Sequence, residues 1–155
     1  VGDIQQVQQA SGTKDARLGL AVLDLGEGWC RYSGPSLVEE SLDLSLEELT
    51  QRIAALVVAP ATANSLAKFA RGVADDFLST FYISVTAPVV LAPAMNTRMW
   101  ESPAVQNNLR LLRELFGARV TQVGPVAKEL ACKETGIGAM AEVGEIVEAV
   151  GHRLS

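Results

Sequence analysis

Histidine is almost absent from this chain. The single one, His152, lies near the C-terminus, which argues against a histidine-built metal centre and against a Ser-His-Asp triad. No metal is expected. Cysteine is scarce too: Cys30 and Cys132 stand far apart in unlike contexts. They make no disulfide framework, and reduced thiols in a cytoplasmic or organelle-lumen protein are the default reading. Basic clusters are missing, and the formal net charge is −5. Nucleic acid and anionic membrane surfaces are therefore poor partners. No apolar run reaches spanning length, and the N-terminus lacks a basic region followed by an apolar one.

What remains is a chain in which 48% of residues are apolar and 20% charged. Residues 1–155 suffice for one globular domain with a real core. Residues 1–17 are polar and Gln-rich and read as a loose arm. Ser11-Gly-Thr-Lys14 follows no strand and lacks the glycine spacing of a phosphate loop. Arg17–Leu25 reads as a strand, residues 26–28 as a turn and Trp29–Ser33 as a returning strand. Ser45-Leu-Glu-Glu48 has the form of a capping box opening a short helix to about Arg52.

The centre of the chain is Pro88-Val-Val-Leu-Ala-Pro-Ala-Met-Asn-Thr-Arg-Met-Trp100. Val89–Ala92 is a short β-branched run suited to a strand buried on both faces. Pro93 removes a backbone donor and ends the ladder, and the loop beyond presents Asn96. In open α/β sheets ligands bind just past the carboxyl ends of strands. The plain alternative is an ordinary loop with Met and Trp as core. Leu56-Val-Val-Ala-Pro-Ala-Thr-Ala-Asn-Ser65 repeats the design some 33 residues earlier. Two strands with one terminator are expected side by side, Asn64 and Asn96 at the same edge. Thr62 or Asn64 then caps a helix running to about Thr80.

Ser102 and Pro103 read as cap and first-turn proline of a helix ending near Gly117. Arg119–Val123 is a strand, 124–139 a long connection and Val143–Leu154 a terminal helix. Strands alternating with helices from residue 53 onward imply an α/β fold, a doubly wound, three-layer parallel sheet of flavodoxin/Rossmann-like type, with residues 1–52 atypical. At Ala61–Ser65 a strand end meets a helix start, where unpaired amides and the helix dipole favour an anion. Taken alone, these residues are better read as a plain N-cap, which every helix needs.

Three pieces in order resemble the flavin-containing cysteine decarboxylases, above all the phosphopantothenoylcysteine decarboxylases of coenzyme A synthesis. They are Ala59–Ser65 with Gly72-Val-Ala-Asp-Asp76, then Ala92–Trp100, then Leu130-Ala-Cys-Lys-Glu-Thr-Gly-Ile-Gly-Ala-Met-Ala-Glu142. The likeness covers about residues 53–151. It implies an FMN cofactor touched by Thr62, Ala63, Asn64, Ser65 and Ala94. It implies that Asn96 binds the substrate carboxylate and that Glu129, Leu130, Ala131 and Cys132 form a substrate clamp, with Cys132 the proton donor. Gly136 and Gly138 lend that segment backbone freedom. Met99 and Trp100 are expected to pack beneath the loop. The implied reaction is decarboxylation of 4′-phosphopantothenoylcysteine to 4′-phosphopantetheine: the flavin oxidises the cysteinyl thiol to a thioaldehyde, carbon dioxide leaves, and the hydride returns. A homotrimer or a multiple of three is implied as well.

Two features depart from the pattern. Lys133 stands where members carry Gly, and a cation there favours thiolate in Cys132. Residues 1–52 show no Gly-Ser flavin turn, and Leu46 falls where members have a catalytic His. His152 is placed to cap helix carbonyls instead. The expectation is weak or no turnover by the chain alone. Two other readings stay open: a non-catalytic binding or regulatory subunit of the same family, and a peptidyl-cysteine decarboxylase.

Overall fold

The computed structural model describes residues 18–24, 30–32, 50–51, 53–129 and 135–155, with side chains unassigned at 18–24, 30–32, 128–129 and 135. The arm 1–17, the turn at 26–28, the capping box at Ser45, Leu46 and the stretch Leu130–Lys133 lie outside the described residues. So do the side chains of Cys30 and Glu129.

Five strands form one sheet. β1 (Leu18–Asp24), β3 (Ile53–Ala61), β4 (Val89–Pro93) and β5 (Val120–Gln122) run parallel, and β2 (Cys30–Tyr32) is antiparallel on the outside of β1, giving the order β2-β1-β3-β4-β5. The expected strands at 53–59, 89–92 and 119–123 are therefore adjacent and parallel. β1 extends the sheet upstream, so the region before residue 53 contributes directly to the fold.

Alternation along the central strands divides the interior in two. Leu56, Val58, Val89 and Leu91 face one side with Leu66, Phe69, Phe81, Tyr82, Leu109 and Leu112. Ala55, Val57, Val90 and Ala92 face the other with Ala141, Ile146 and Val150. Helices α1 (Ala63–Arg71), α2 (Phe77–Ser84) and α4 (Pro103–Phe116) cover the first side, and α5 (Val143–Leu154) covers the second. A one-turn helix, α3 (Thr97–Trp100), sits between β4 and α4. All five residues of β4 are buried, as a strand between two helical layers requires. Among the described residues no helix is long and apolar enough to cross a membrane.

The helix expected over 62–80 is two helices. Gly72, at φ 68°, ends α1 in the left-handed conformation that glycine adopts without a Cβ penalty. Asp76 then starts α2 afresh, accepting from the Ser79 amide at 2.7 Å while the Ser79 hydroxyl accepts from the Asp76 amide at 3.2 Å. Lys68 ties the junction, reaching Asp75 at 2.7 Å and Asp76 at 2.5 Å. The carboxylates of Asp75 and then Asp76 hold its ammonium above the usual range.

Burial pushes the Asp76 carboxyl up, but the Lys68 ammonium and the Ser79 amide and hydroxyl outweigh it and hold it below its ordinary 3.8. A depressed folded pKa gives stability that is complete above the unfolded value and is lost as pH falls through the folded one. Asp76→Asn keeps an oxygen to cap α2 but discards the charge. The urea midpoints of wild type and this variant should therefore converge as pH drops below 3.8. A constant gap down to strongly acid pH would contradict that assignment.

Ser102 and Pro103 are the N-cap and first-turn proline of α4, as expected, although the cap makes no side-chain bond; Gln106 bonds back to the Trp100 carbonyl at 2.6 Å. Two further expectations are corrected. The connection at 124–139 carries an antiparallel hairpin, β6 (Val126–Glu129) with β7 (Thr135–Ala139). His152 is exposed and faces Glu148 at 3.6 Å instead of capping carbonyls.

Candidate active site

β3 and β4 end at the same edge because they are parallel and paired, Ala61 opposite Pro93. The Ala94 amide crosses to the Ala61 carbonyl at 3.2 Å, binding the two loops to each other. Asn64 and Asn96 therefore share one edge of the sheet, and both are exposed.

On the β3 side, Thr62 is the cap of α1 and Asn64 is already inside the helix. The Thr62 hydroxyl accepts from the Ser65 amide at 3.2 Å and lies 2.9 Å from the Ser65 hydroxyl. Ser65 is buried, Ala63 half-buried, and no acidic side chain occupies the first turn. The amides of the opening turn, the helix dipole and this absence of negative charge make the end of α1 receptive to an anionic or polar ligand edge.

On the β4 side, Asn96 is the cap of α3. Its Oδ1 accepts from the Met99 amide at 2.8 Å, and its carbonyl accepts from the Trp100 amide at 3.0 Å. Committing Oδ1 to the cap fixes the amide plane, so the Nδ2 group is the one presented to a ligand. Two N–H donors suit a carboxylate. Trp100 is half-buried against the larger core, as expected. Met99 is 44% exposed, which corrects its expected place beneath the loop. α3 is too short to bury two successive side chains on one side.

The hairpin docks on this loop. The Met95 amide donates to the Gly138 carbonyl at 2.9 Å. A Cβ on Gly138 would fall 2.1 Å from the Met95 carbonyl oxygen, and one on Gly136 2.1 Å from Thr97 Oγ1. Both glycines permit close approach, and Gly138, at φ 158°, also uses the backbone freedom expected of it. Gly-x-Gly at the two-residue period of a strand is the signal that foretells such a bare face. The participation of Met95 and Thr97 had no comparable signal. Glu129 is the last residue of β6. Ala94 is half-buried between the two motif loops. Among the described residues no group of three His, Cys, Asp or Glu is gathered to hold a metal.

Residues 21–155 match the Flavoprotein family, and the chain belongs to it. Within that family its relatives include phosphopantothenoylcysteine decarboxylases. A probable one from Arabidopsis thaliana is 40% identical over 105 residues, 66% of this chain and 51% of the relative. A mutant PPC decarboxylase complexed with pantothenoylaminoethenethiol superposes with a TM-score of 0.63 at 36% identity, over 80% of this chain and 63% of that one. The FMN binding protein AtHal3 superposes with a TM-score of 0.60 at 40% identity, over 68% and 56%. Cysteine decarboxylases are also among the relatives. The chain spans about half the length, or less, of curated relatives such as these.

Proposed function

We propose that this chain carries the FMN and cysteinyl-substrate edge of a phosphopantothenoylcysteine decarboxylase, releasing carbon dioxide from 4′-phosphopantothenoylcysteine to leave 4′-phosphopantetheine. The observation that carries the reading is the junction of two loops at one sheet edge: a helix start receptive to an anion beside an asparagine whose Nδ2 is left to donate. The residues fit the cofactor. Thr62, Ala63, Asn64 and Ser65 at the start of α1 would hold its polar edge, and small Ala94 leaves room for a flat ring system. Bound FMN would supply the reversible two-electron chemistry at the cysteinyl sulfur.

The remaining work falls to the chain. Asn96 Nδ2 donates to the substrate carboxylate and orients the bond that breaks. Glu129, Leu130 and Ala131 are assigned to the cysteinyl group by the resemblance, and Cys132 would deliver a proton to the product. Val73 and Phe77, 42% and 47% exposed at the α1–α2 junction, offer apolar surface to the neighbours of a homotrimer.

On this reading Leu46 stands in place of a catalytic His, and its loss removes a general acid–base worth about 10²–10⁴-fold. Slow turnover is therefore the expected outcome when FMN-loaded protein is incubated with phosphopantothenoylcysteine and the products are weighed by mass spectrometry. A protein that leaves this substrate untouched, yet decarboxylates free cysteine or a peptide ending in cysteine, would move the assignment to another branch.

A further inference from the structure

We infer that Thr97 is a positioning residue: it seats strand β7 and thereby fixes the backbone that aims Asn96. The inference rests on the reading that Asn96 meets the substrate carboxylate. Three observations converge on Thr97. Gly136 brings bare backbone onto its side chain, so that an added Cβ would lie 2.1 Å from Oγ1 and 3.1 Å from the Thr97 Cβ. Two residues further along β7, the Met95 amide bonds the Gly138 carbonyl at 2.9 Å, and a Cβ on Gly138 would meet the Met95 carbonyl oxygen at 2.1 Å. Thr97 Oγ1 is buried and has no hydrogen-bond partner.

Asn96 lies between these two contacts. Because its Oδ1 is held by the Met99 amide at 2.8 Å, the direction of Nδ2 follows the backbone at 95–97. That backbone is held from one side by β7. A β-branched side chain is stiff at χ1, so Thr97 offers Gly136 a firm surface. The unpartnered hydroxyl marks the contact as one of shape. Valine has nearly the same outline without the polar atom, and alanine leaves a gap.

The test reads the Met95 amide by hydrogen exchange and, separately, the KM of FMN-loaded protein for phosphopantothenoylcysteine. Thr97→Val should exchange as slowly as wild type or more slowly, with KM unchanged. Gly136→Ala should expose the Met95 amide, exchanging about tenfold faster, and raise KM about tenfold while FMN affinity stays put. Adding Thr97→Ala to Gly136→Ala removes Oγ1 and leaves a 3.1 Å contact that a small shift relieves, so both readouts should return toward wild type. Unchanged exchange in Gly136→Ala, or no rescue in the double variant, overturns the seat. Faster exchange with an unaltered KM overturns its link to Asn96. Wild type that fails to take the substrate refutes the function proposed for Asn96 and with it that link, and the exchange data still judge the seat.

Discussion

Asn96→Asp is expected to weaken binding of phosphopantothenoylcysteine to the FMN-loaded protein by about 10²-fold. The substitution is nearly isosteric, and Asp is as good an N-cap as Asn. The Met99 amide that now bonds Oδ1 at 2.8 Å keeps its acceptor, α3 stays formed, and the melting curve should hardly move. What changes is the second half of the side chain. A pair of N–H donors becomes an anionic oxygen facing the substrate carboxylate, so an attraction becomes a repulsion. Isothermal calorimetry separates the outcomes. Unaltered affinity would remove Asn96 from substrate binding, whereas lost affinity with a lowered melting temperature would assign the effect to the cap.

The largest loss of stability is expected at Tyr82. Its ring is wholly buried, stacked on Phe69 at 4.1 Å, met edge-on by Phe116 at 5.8 Å, and lies under the Arg119 guanidinium at 5.0 Å. Arg119 also donates to the Val85 and Tyr82 carbonyls at the end of α2, so the ring and the last turn of that helix share a support. Tyr82→Ala should cost about 3–5 kcal/mol by opening a cavity between α1, α2 and α4. Tyr82→Phe should be close to neutral, because the hydroxyl it removes is buried with no hydrogen-bond partner. Burial already drives that phenol upward, against the Arg119 guanidinium, which lies near the hydroxyl without a well-aligned hydrogen bond. Urea titration measures both, and a large loss in the Phe variant would mean that the hydroxyl is bonded after all.

The strands were legible because their apolar runs carry proline at matching places, although the prolines do not end the ladder: Pro60 lies within β3, and the pairing runs on to Ala61 and Pro93. Ala59-Pro60-Ala61 and Ala92-Pro93-Ala94 announced two neighbouring strand ends, and Asn64 and Asn96 do share an edge. The helical segment from Thr62 was harder. The apolar residues from Leu66 to Leu78 keep a helical stripe straight through the break. Two local signals, a glycine at 72 and an Asp76–Ser79 cap, outweigh that periodicity because each sets the backbone directly. The hairpin at 126–139 is hidden for a related reason: its glycines signal backbone freedom, which Gly138 uses at φ 158°, but not the close approach that lets β7 lie against Met95 and Thr97. A contact between segments some forty residues apart has no signature in either segment alone. Met99 was misjudged because α3 lasts one turn, too brief for a stripe to have a consistent inside.

The start of α1 and the Asn96 loop at one sheet edge stand or fall together on the flavin. Titrating free FMN with the purified chain while following flavin fluorescence is the direct measurement. Saturable quenching, with the absorbance bands shifted as the ring enters a fixed environment, is the predicted result. Replacing Ser65, buried beneath the Thr62 cap, by Val should weaken it. Fluorescence that stays at the value of free FMN through a large excess of folded protein would contradict the account.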